Sequence, residues 1–162
     1  MKTIVYRGGV VTFRIPAHWR KEYSDIEGGT FYRDHPQSGT LRLSIVTATS
    51  QKQAQSRSAF DVLQGIEDNL RNEGVDGTIK GRKDGNAVFK YEEAGSEQGM
   101  RLTIFYWIVA NALPPCHVRV ATFSYTIIAE QRNQSQIQHD LEMLDAEIEA
   151  ASFSPQMGIV AE

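Results

Sequence analysis

The chain has 162 residues, 41% of them hydrophobic, and its only cysteine is Cys116. A domain of this length buries roughly 70% of the surface that its unfolded chain exposes, and a single thiol excludes an internal disulfide and a cysteine-rich zinc site. The formal net charge of −3 disfavours general nucleic-acid binding, which uses a basic protein face.

The opening residues contain no continuous apolar run and no small-residue cleavage site, so they lack the features of a secretory signal. No segment approaches the roughly 18 consecutive apolar residues that a membrane-spanning helix needs. We therefore expect a cytoplasmic protein without a transmembrane segment.

The first part of the chain carries short strand patterns separated by turn residues. Alternating apolar positions predict strands at 2–7, 10–15, 30–34 and 40–49. Gly8 and Gly9 suit the tight turn of a hairpin, and Pro16 ends the second strand because proline cannot donate to a strand ladder. Residues 17–26 are polar and punctuated by single aromatic residues, so we expect them to be irregular. A polar stretch at 50–56 precedes a helix.

The second part of the chain predicts two helices on either side of four further strands. The first helix has apolar residues at three- and four-residue spacing, which are Ala59, Leu63, Ile66 and Leu70. The strands are expected at 77–83, 86–93, 100–109 and 118–128. The second helix carries one narrow apolar stripe, formed by Ile137, Leu141, Leu144, Ile148 and Ala151.

The segments 100–109 and 118–128 carry bulky residues on both alternating faces, as strands do when they are covered above and below. Short connections between neighbouring strands favour antiparallel pairing. The predicted fold is therefore α+β, with a central, mostly antiparallel β-sheet of about eight strands at most, flanked by two long helices. Either one helix covers each face, or both lie together. We expect one domain at 1–153 and a loose tail at 154–162.

The residue types that carry catalysis or metal binding form no recognisable motif. His18 and His35 lie in predicted loops, without the spacing of metal ligands. The only adjacent thiol and imidazole belong to Cys116 and His117, whose side chains diverge if they lie in a strand. No glycine cluster has the spacing of a phosphate-binding loop. We predict no catalytic residue, no metal site and no cofactor, and hence a protein that is not an enzyme.

The segment Phe13-Arg-Ile-Pro-Ala-His-Trp19, followed by the strand Gly28-Gly-Thr-Phe-Tyr32, resembles the opening of a PsbP-like domain. The order of elements, the aromatic strand Phe105-Tyr-Trp107 and the closing helix extend the resemblance over almost the whole chain. The PsbP-like fold superfamily includes the extrinsic PsbP subunit of photosystem II, a Ran-binding nuclear import factor, and bacterial lipoproteins or chaperone-like adaptors. The resemblance implies a PsbP-like α/β/α sandwich whose relatives mostly bind proteins and share no catalytic motif.

Aromatic residues in and beside the expected irregular segment indicate a binding surface, because tyrosine and tryptophan combine a large apolar body with a polar tip. We predict a contact surface at Trp19, Arg20, Tyr23 and Tyr32. Its partner would be another protein, or a second copy of the chain in a homodimer. The predicted function is a non-catalytic protein-interaction module, such as a bacterial adaptor or chaperone-like factor associated with secretion.

The alternative is a small-molecule or lipid binder. In that case an apolar pocket lies between the sheet and a helix, and Cys116 and His117 supply weak enzymatic activity.

Overall fold

The computed structural model describes residues 1–49, 56–82 and 84–155. In chain order the strands are β1 (Lys2–Tyr6), β2 (Val11–Ile15), β3 (Arg20–Ser24), β4 (Gly28–Tyr32), β5 (Thr40–Thr49), β6 (Gly77–Gly81), β7 (Ala87–Glu97), β8 (Met100–Leu113), β9 (His117–Ile128) and β10 (Ser152–Phe153). The α-helices are α1 (Ser56–Asn72) and α2 (Ser135–Glu149), and short 3-10 helices lie at Arg7–Gly9 and Ala129–Gln131. The predicted polar stretch at 50–56 and most of the predicted tail lie outside the described residues.

The strands form two antiparallel sheets. The larger sheet has seven strands in the order β3-β4-β5-β9-β8-β7-β6, and the smaller has three in the order β1-β2-β10. The longest pairing joins β8 to β9, where the register runs from Leu102 opposite Ile128 to Leu113 opposite His117. The predicted α+β class with a mostly antiparallel sheet is confirmed.

The two helices pack on opposite faces of the seven-stranded sheet. Leu63 of α1 belongs to an apolar cluster with Phe89 and Ile108, and we call the face that carries these two strand residues the α1 face. Leu144 of α2 belongs to a second cluster, with Phe123 and other residues of the opposite face, which we call the α2 face. One helix per face is therefore the arrangement that this sequence adopts.

The small sheet also packs on the α2 face. The ring of Phe13, on β2, meets the ring of Phe31 at 5.4 Å and that of Phe123 at 5.3 Å, both edge to face. Edge-to-face pairs add about 0.5–1.5 kcal/mol to the stabilisation from burial alone. The α2 face is thus closed by α2 and by the β1–β2 hairpin together.

Cover on the α1 face is only partial. Helix α1 contacts β6, β7 and β8, while the corresponding side of β9 carries Thr122, Ser124 and Thr126, which are half-buried. The prediction that the two central strands are covered on both faces is therefore correct where α1 lies and wrong beyond it. The reason is width, because a helix about 10–12 Å across covers about two or three strands at their spacing of roughly 5 Å.

The predicted irregular segment at 17–26 contains strand β3, which pairs with β4 from Arg20 opposite Tyr32 to Ser24 opposite Gly28. Every residue of β3 is exposed. An edge strand that buries no side chain needs no apolar alternation, so its sequence carries no strand pattern. Among the described residues, no helix combines the length and apolar character needed to cross a membrane.

Candidate functional site

Strand β3 forms one edge of the seven-stranded sheet, and no other described strand pairs with its outer side. A strand in this position presents unpaired backbone N–H and C=O groups, which can pair with an extended segment of another chain. Tyr23 is the fourth of the five residues of this edge strand and is 53% exposed. The edge therefore combines free backbone hydrogen-bonding groups with an accessible aromatic ring.

A groove of about 450 Å³ lies beside Tyr23, between the end of β1 and the β3–β4 hairpin. Its lining residues are Val5, Tyr6, Arg7, Tyr23, Ser24, Asp25 and Gly28. Val5 is 58% exposed, and Ile26, in the hairpin turn next to Asp25, is 95% exposed. Three of the largest exposed apolar side chains of the described residues thus lie on and beside one groove. We call Val5, Tyr23 and Ile26, with this groove, the Tyr23 patch.

Two glycines let β1 approach the hairpin closely enough to form the groove. Gly28 has a φ of +80°, and a Cβ placed on it would lie 2.2 Å from the carbonyl oxygen of Leu43 and 3.0 Å from the hydroxyl of Tyr6. A Cβ on Gly29 would lie 2.9 Å from the ring of Phe31 and 3.3 Å from Cε2 of Tyr6. The Tyr6 ring can therefore lie over the glycines, with its centroid 6.1 Å from that of Tyr23.

Charged groups of both signs flank the groove. Arg7 lies over the Tyr6 ring, with its guanidinium carbon 5.5 Å from the ring centroid, and Asp25 lies on the hairpin side. Neither forms an ion pair within the part of the chain that the structure describes. Partial burial, reinforced by Tyr6, raises the pKa of the Tyr23 hydroxyl further above neutral pH. The hydroxyl is a phenol that is protonated at neutral pH with or without this shift, and it can donate a hydrogen bond. An aromatic centre with a polar rim is typical of protein-protein contact surfaces.

Trp19, predicted as part of the contact surface, lies in the core. It is 1% exposed, and its ring stacks on that of Tyr125 at 6.3 Å. Trp19 is therefore a core residue and not part of an exposed surface. The physical reason is that the chain turns at Pro16, where Trp19 N–H donates to the Pro16 carbonyl and directs the indole onto the α2 face.

Arg20 and Tyr32 lie opposite each other across the β3–β4 pair, on the face away from Tyr23. Arg20 Nη2 donates to Asp34 at 2.5 Å, and the Tyr32 hydroxyl donates to Glu22 at 2.6 Å. The hydrogen bond to Glu22 raises the pKa of Tyr32. These side chains are engaged within the hairpin, so the structure does not bring the four predicted residues together, and only Tyr23 lines the groove.

Sequence reasoning missed Val5, Arg7, Asp25 and Ile26. Val5 alternates with the buried Ile4 and Tyr6, so its outward orientation follows once β1 is recognised. Ile26 gives a weaker signal, because it is a single apolar residue in a polar turn. No sequence pattern indicates that β1 and the hairpin meet, since that contact depends on tertiary packing.

The residues considered above for catalysis and metal binding include one adjacent thiol and imidazole, Cys116 and His117. Cys116 Sγ lies 3.7 Å from His117 Nδ1, and both residues are half-buried at the start of β9. Within the described residues, no group of three or more histidine, cysteine, aspartate or glutamate side chains could hold a metal ion. The groove beside Tyr23 does not lie between the sheet and a helix. The alternative of an apolar lipid or small-molecule pocket between sheet and helix therefore stays a prediction.

No protein-family model and no curated protein matches this sequence. Two solved structures are similar to it in fold. LpqN of Mycobacterium tuberculosis, a protein involved in cell envelope biogenesis, has a TM-score of 0.65 and 15% identity over 90% of this chain and 83% of its own. A Bacteroides thetaiotaomicron protein has a TM-score of 0.61 and 14% identity over 94% of this chain and 48% of its own, so this chain spans about half its length.

At these identities the likeness shows the fold alone, because one fold supports many unrelated functions. The resemblance to PsbP-like domains is therefore supported in its layout, an antiparallel α+β sandwich, while membership of that superfamily stays a prediction. The likeness to LpqN also gives the chain a structural neighbour among bacterial proteins of envelope biogenesis.

Proposed function

We propose that this protein is a non-catalytic protein-interaction module, acting as a bacterial adaptor or chaperone-like factor. The partner pairs an extended segment with the outer side of β3 and places an apolar side chain in the groove beside Tyr23. The observation that carries the proposal is the Tyr23 patch, where an uncovered strand edge, three exposed apolar side chains and a groove coincide. The cytoplasmic location predicted from the sequence belongs to the same proposal.

Backbone pairing and side-chain insertion have separate roles in this mode of binding. Hydrogen bonds along β3 supply affinity with little sequence preference, whereas the groove selects the inserted side chain. Arg7 and Asp25 fix the orientation of the bound segment through charges of opposite sign at the two walls. The partner is thus an extended segment with one bulky apolar residue flanked by charged residues.

The test begins with affinity capture from the native organism, quantified by mass spectrometry for wild type, Tyr23→Ala and Ile26→Ser. A matched control is Phe60→Ala, because Phe60 is an aromatic residue of α1 that is 43% exposed and lies away from the Tyr23 patch. We expect a protein that wild type and Phe60→Ala retain and the two patch variants lose. A partner that all four proteins retain equally would contradict the proposal.

The captured partner is then purified and its affinity measured by calorimetry. Truncating an aromatic residue at the centre of an interface lowers the binding free energy by about 2 kcal/mol or more, which raises the dissociation constant about 30-fold. Sedimentation velocity over a concentration series tests the case in which the partner is a second copy of the chain. There, Tyr23→Ala shifts the protein to monomer while Phe60→Ala does not.

A further inference from the structure

Strand β3 carries its positive charges at its start and its negative charges towards its end. Arg20 and Lys21 open the strand, Glu22 follows them, and Asp25 comes directly after its last residue. Every residue of β3 is exposed. Charged residues on an edge strand normally prevent pairing with a second strand. Antiparallel pairing of β3 with β3 of another copy, however, brings the positive start of each strand beside the negative end of the other.

The symmetry of such a pair restricts its register. Two copies joined at the same edge are related by a two-fold axis, and antiparallel pairing requires this axis to be perpendicular to the sheet. The axis reverses the strand and keeps each face of the sheet on its own side, so residues directly opposite each other point to the same face. Because side chains alternate between the faces, the axis must pass through one residue of β3 and not between two.

One residue of β3 is the suitable centre. Centring the pair on Arg20, Lys21 or Glu22 places that residue opposite its own copy, and like charges directly opposite each other are destabilising. Centring it on Ser24 aligns just that one residue with a strand residue of the other copy, because the turn begins at the next position. Tyr23 is therefore the centre that remains.

The register centred on Tyr23 brings complementary groups together. The two Tyr23 rings lie opposite each other, and Lys21 of each copy lies opposite Asp25 of the other, on the same face. Neither Lys21 nor Asp25 forms an ion pair within residues 1–49, 56–82 and 84–155, so both charges are available to a second copy. On the other face Glu22 lies opposite Ser24, whose hydroxyl can donate to a carboxylate. No like charges lie directly opposite each other in this register.

We propose that a second copy of this chain pairs with the β3 edge in a weak homodimer, with Tyr23 on the two-fold axis and an ion pair between Lys21 and Asp25 on each side of it. The dimer rests on the proposed function, because both use the outer side of β3. Strand β3 has the features inferred for the partner segment, namely an extended backbone and one bulky side chain between charged residues. The partner therefore competes with the second copy, and dimerisation regulates access to the edge.

The affinity of the dimer determines when the edge is open. A strand of five residues buries a small area when it pairs along its own length, at the low end of protein interfaces. We expect a dissociation constant on the order of 100 μM. Below about 10 μM the monomer, with its edge free for a partner, then predominates.

Sedimentation velocity on the full chain, from about 10 μM to about 1 mM, brackets this dissociation constant. Lys21→Glu and Asp25→Lys each place like charges opposite each other, so each should raise the dissociation constant about tenfold or more. The matched control is Arg42→Glu, a charge reversal at an exposed residue of β5, which should dimerise like wild type. A chain that stays monomeric up to about 1 mM, or a dimer equally stable in all four proteins, overturns the proposal.

Mixing the two charge-reversal variants tests the register. In a mixed dimer of Lys21→Glu with Asp25→Lys, each position 21 again faces the opposite charge at position 25. The mixture should therefore dimerise with an affinity close to that of wild type, although neither variant does so alone. A variant that fails to fold cannot give this recovery. Absence of a mixed dimer refutes the assigned ion pairs.

Disulfide cross-linking in a Cys116→Ser background locates the axis. A thiol introduced by Tyr23→Cys lies opposite its own copy, at a Cα separation of about 5.5 Å or less, which a disulfide can span. Thiols introduced by Lys21→Cys lie about 13 Å apart along the strand direction and should remain reduced. Cross-linking of Lys21→Cys in preference to Tyr23→Cys would contradict the assigned centre.

Failure of the dimer and failure of the proposed function give different results. If the chain is monomeric throughout, but Tyr23→Ala loses a captured protein that Phe60→Ala retains, the dimer is wrong and the proposed function stands. If the charge-reversal variants form the mixed dimer, but wild type and Tyr23→Ala capture the same proteins equally, the proposed function is wrong and the dimer stands.

Discussion

Replacing Trp19 by alanine is expected to be among the most destabilising single changes in this chain. A buried tryptophan removes about 200 Å² from water, which at roughly 25 cal/mol per Å² corresponds to about 5 kcal/mol. Trp19 is 1% exposed and belongs to the core cluster of the α2 face. Alanine retains a small part of that burial, so we expect a loss of about 3–5 kcal/mol, a large fraction of the 5–15 kcal/mol typical of a domain.

The comparison variants separate core from surface. Tyr23→Ala should cost well under half as much, because Tyr23 is 53% exposed. Trp19→Phe should cost less than Trp19→Ala, since it keeps a ring against Tyr125 and removes an indole N–H that has no hydrogen-bond partner among the described residues. Urea unfolding followed by far-UV circular dichroism gives all three free energies of unfolding. A loss below about 1 kcal/mol for Trp19→Ala, or one equal to that of Tyr23→Ala, would refute this placement.

Three further stability predictions concern titratable groups. Asp140→Ala should lower the free energy of unfolding, measured in urea, by about 3–5 kcal/mol. The reason is that the buried carboxylate lies 3.4 Å from Arg33 Nη2, and its loss leaves that guanidinium without its counter-ion. A change near zero would contradict the presence of the buried pair. Partial burial alone would raise the pKa of Asp145, but hydrogen bonds from Lys90 and Trp107 hold it below its usual value. The ionised Asp145 carboxylate therefore stabilises the fold fully above its unfolded pKa of about 3.9, and this stabilisation is lost as the pH falls through the lower folded pKa. The free energy of unfolding of Asp145→Asn should accordingly decrease less than that of wild type as the pH is lowered. An equal decrease in the two proteins would contradict the prediction. Burial raises the pKa of Tyr91 to about 12, so stability should fall as the pH rises from about 10 towards that value. Tyr91→Phe should make this fall smaller without abolishing it, because the pKa values of Tyr23 and Tyr32 are also raised. A fall as large in the variant as in wild type would contradict the prediction.

The sequence predicted the elements that depend on burial. β8 was predictable because bulky residues fill both of its alternating faces, and β9 because bulky apolar residues occupy its alternate, buried positions. α2 was predictable because its apolar residues repeat with helical spacing. β3 was not, since its Arg-Lys-Glu-Tyr-Ser sequence buries nothing and its extended form comes from backbone pairing with β4. The division into two sheets also escaped prediction, because strand patterns do not specify which strands pair.

The candidate site was predictable only in part. Tyr23 was identified because an aromatic residue in polar surroundings suggests a contact surface, and it does line the groove. Trp19 was indistinguishable from it in sequence and proved to be core. Val5 and Arg7 belong to the groove only because the small sheet packs beside the hairpin, and this packing relies on the close approach that Gly28 allows. Such contacts are tertiary and leave no local signal.

Amide hydrogen exchange, measured with and without the captured partner, tests the proposed mode of binding most directly. In the free protein, the β3 amides that do not bond to β4 should exchange rapidly, as should the outward amides of β6 at the other edge of the sheet. The account predicts that the partner slows exchange along Arg20–Ser24 and leaves β6 unchanged. Protection confined to β6 or to the helices, with β3 exchanging as in the free protein, would contradict it.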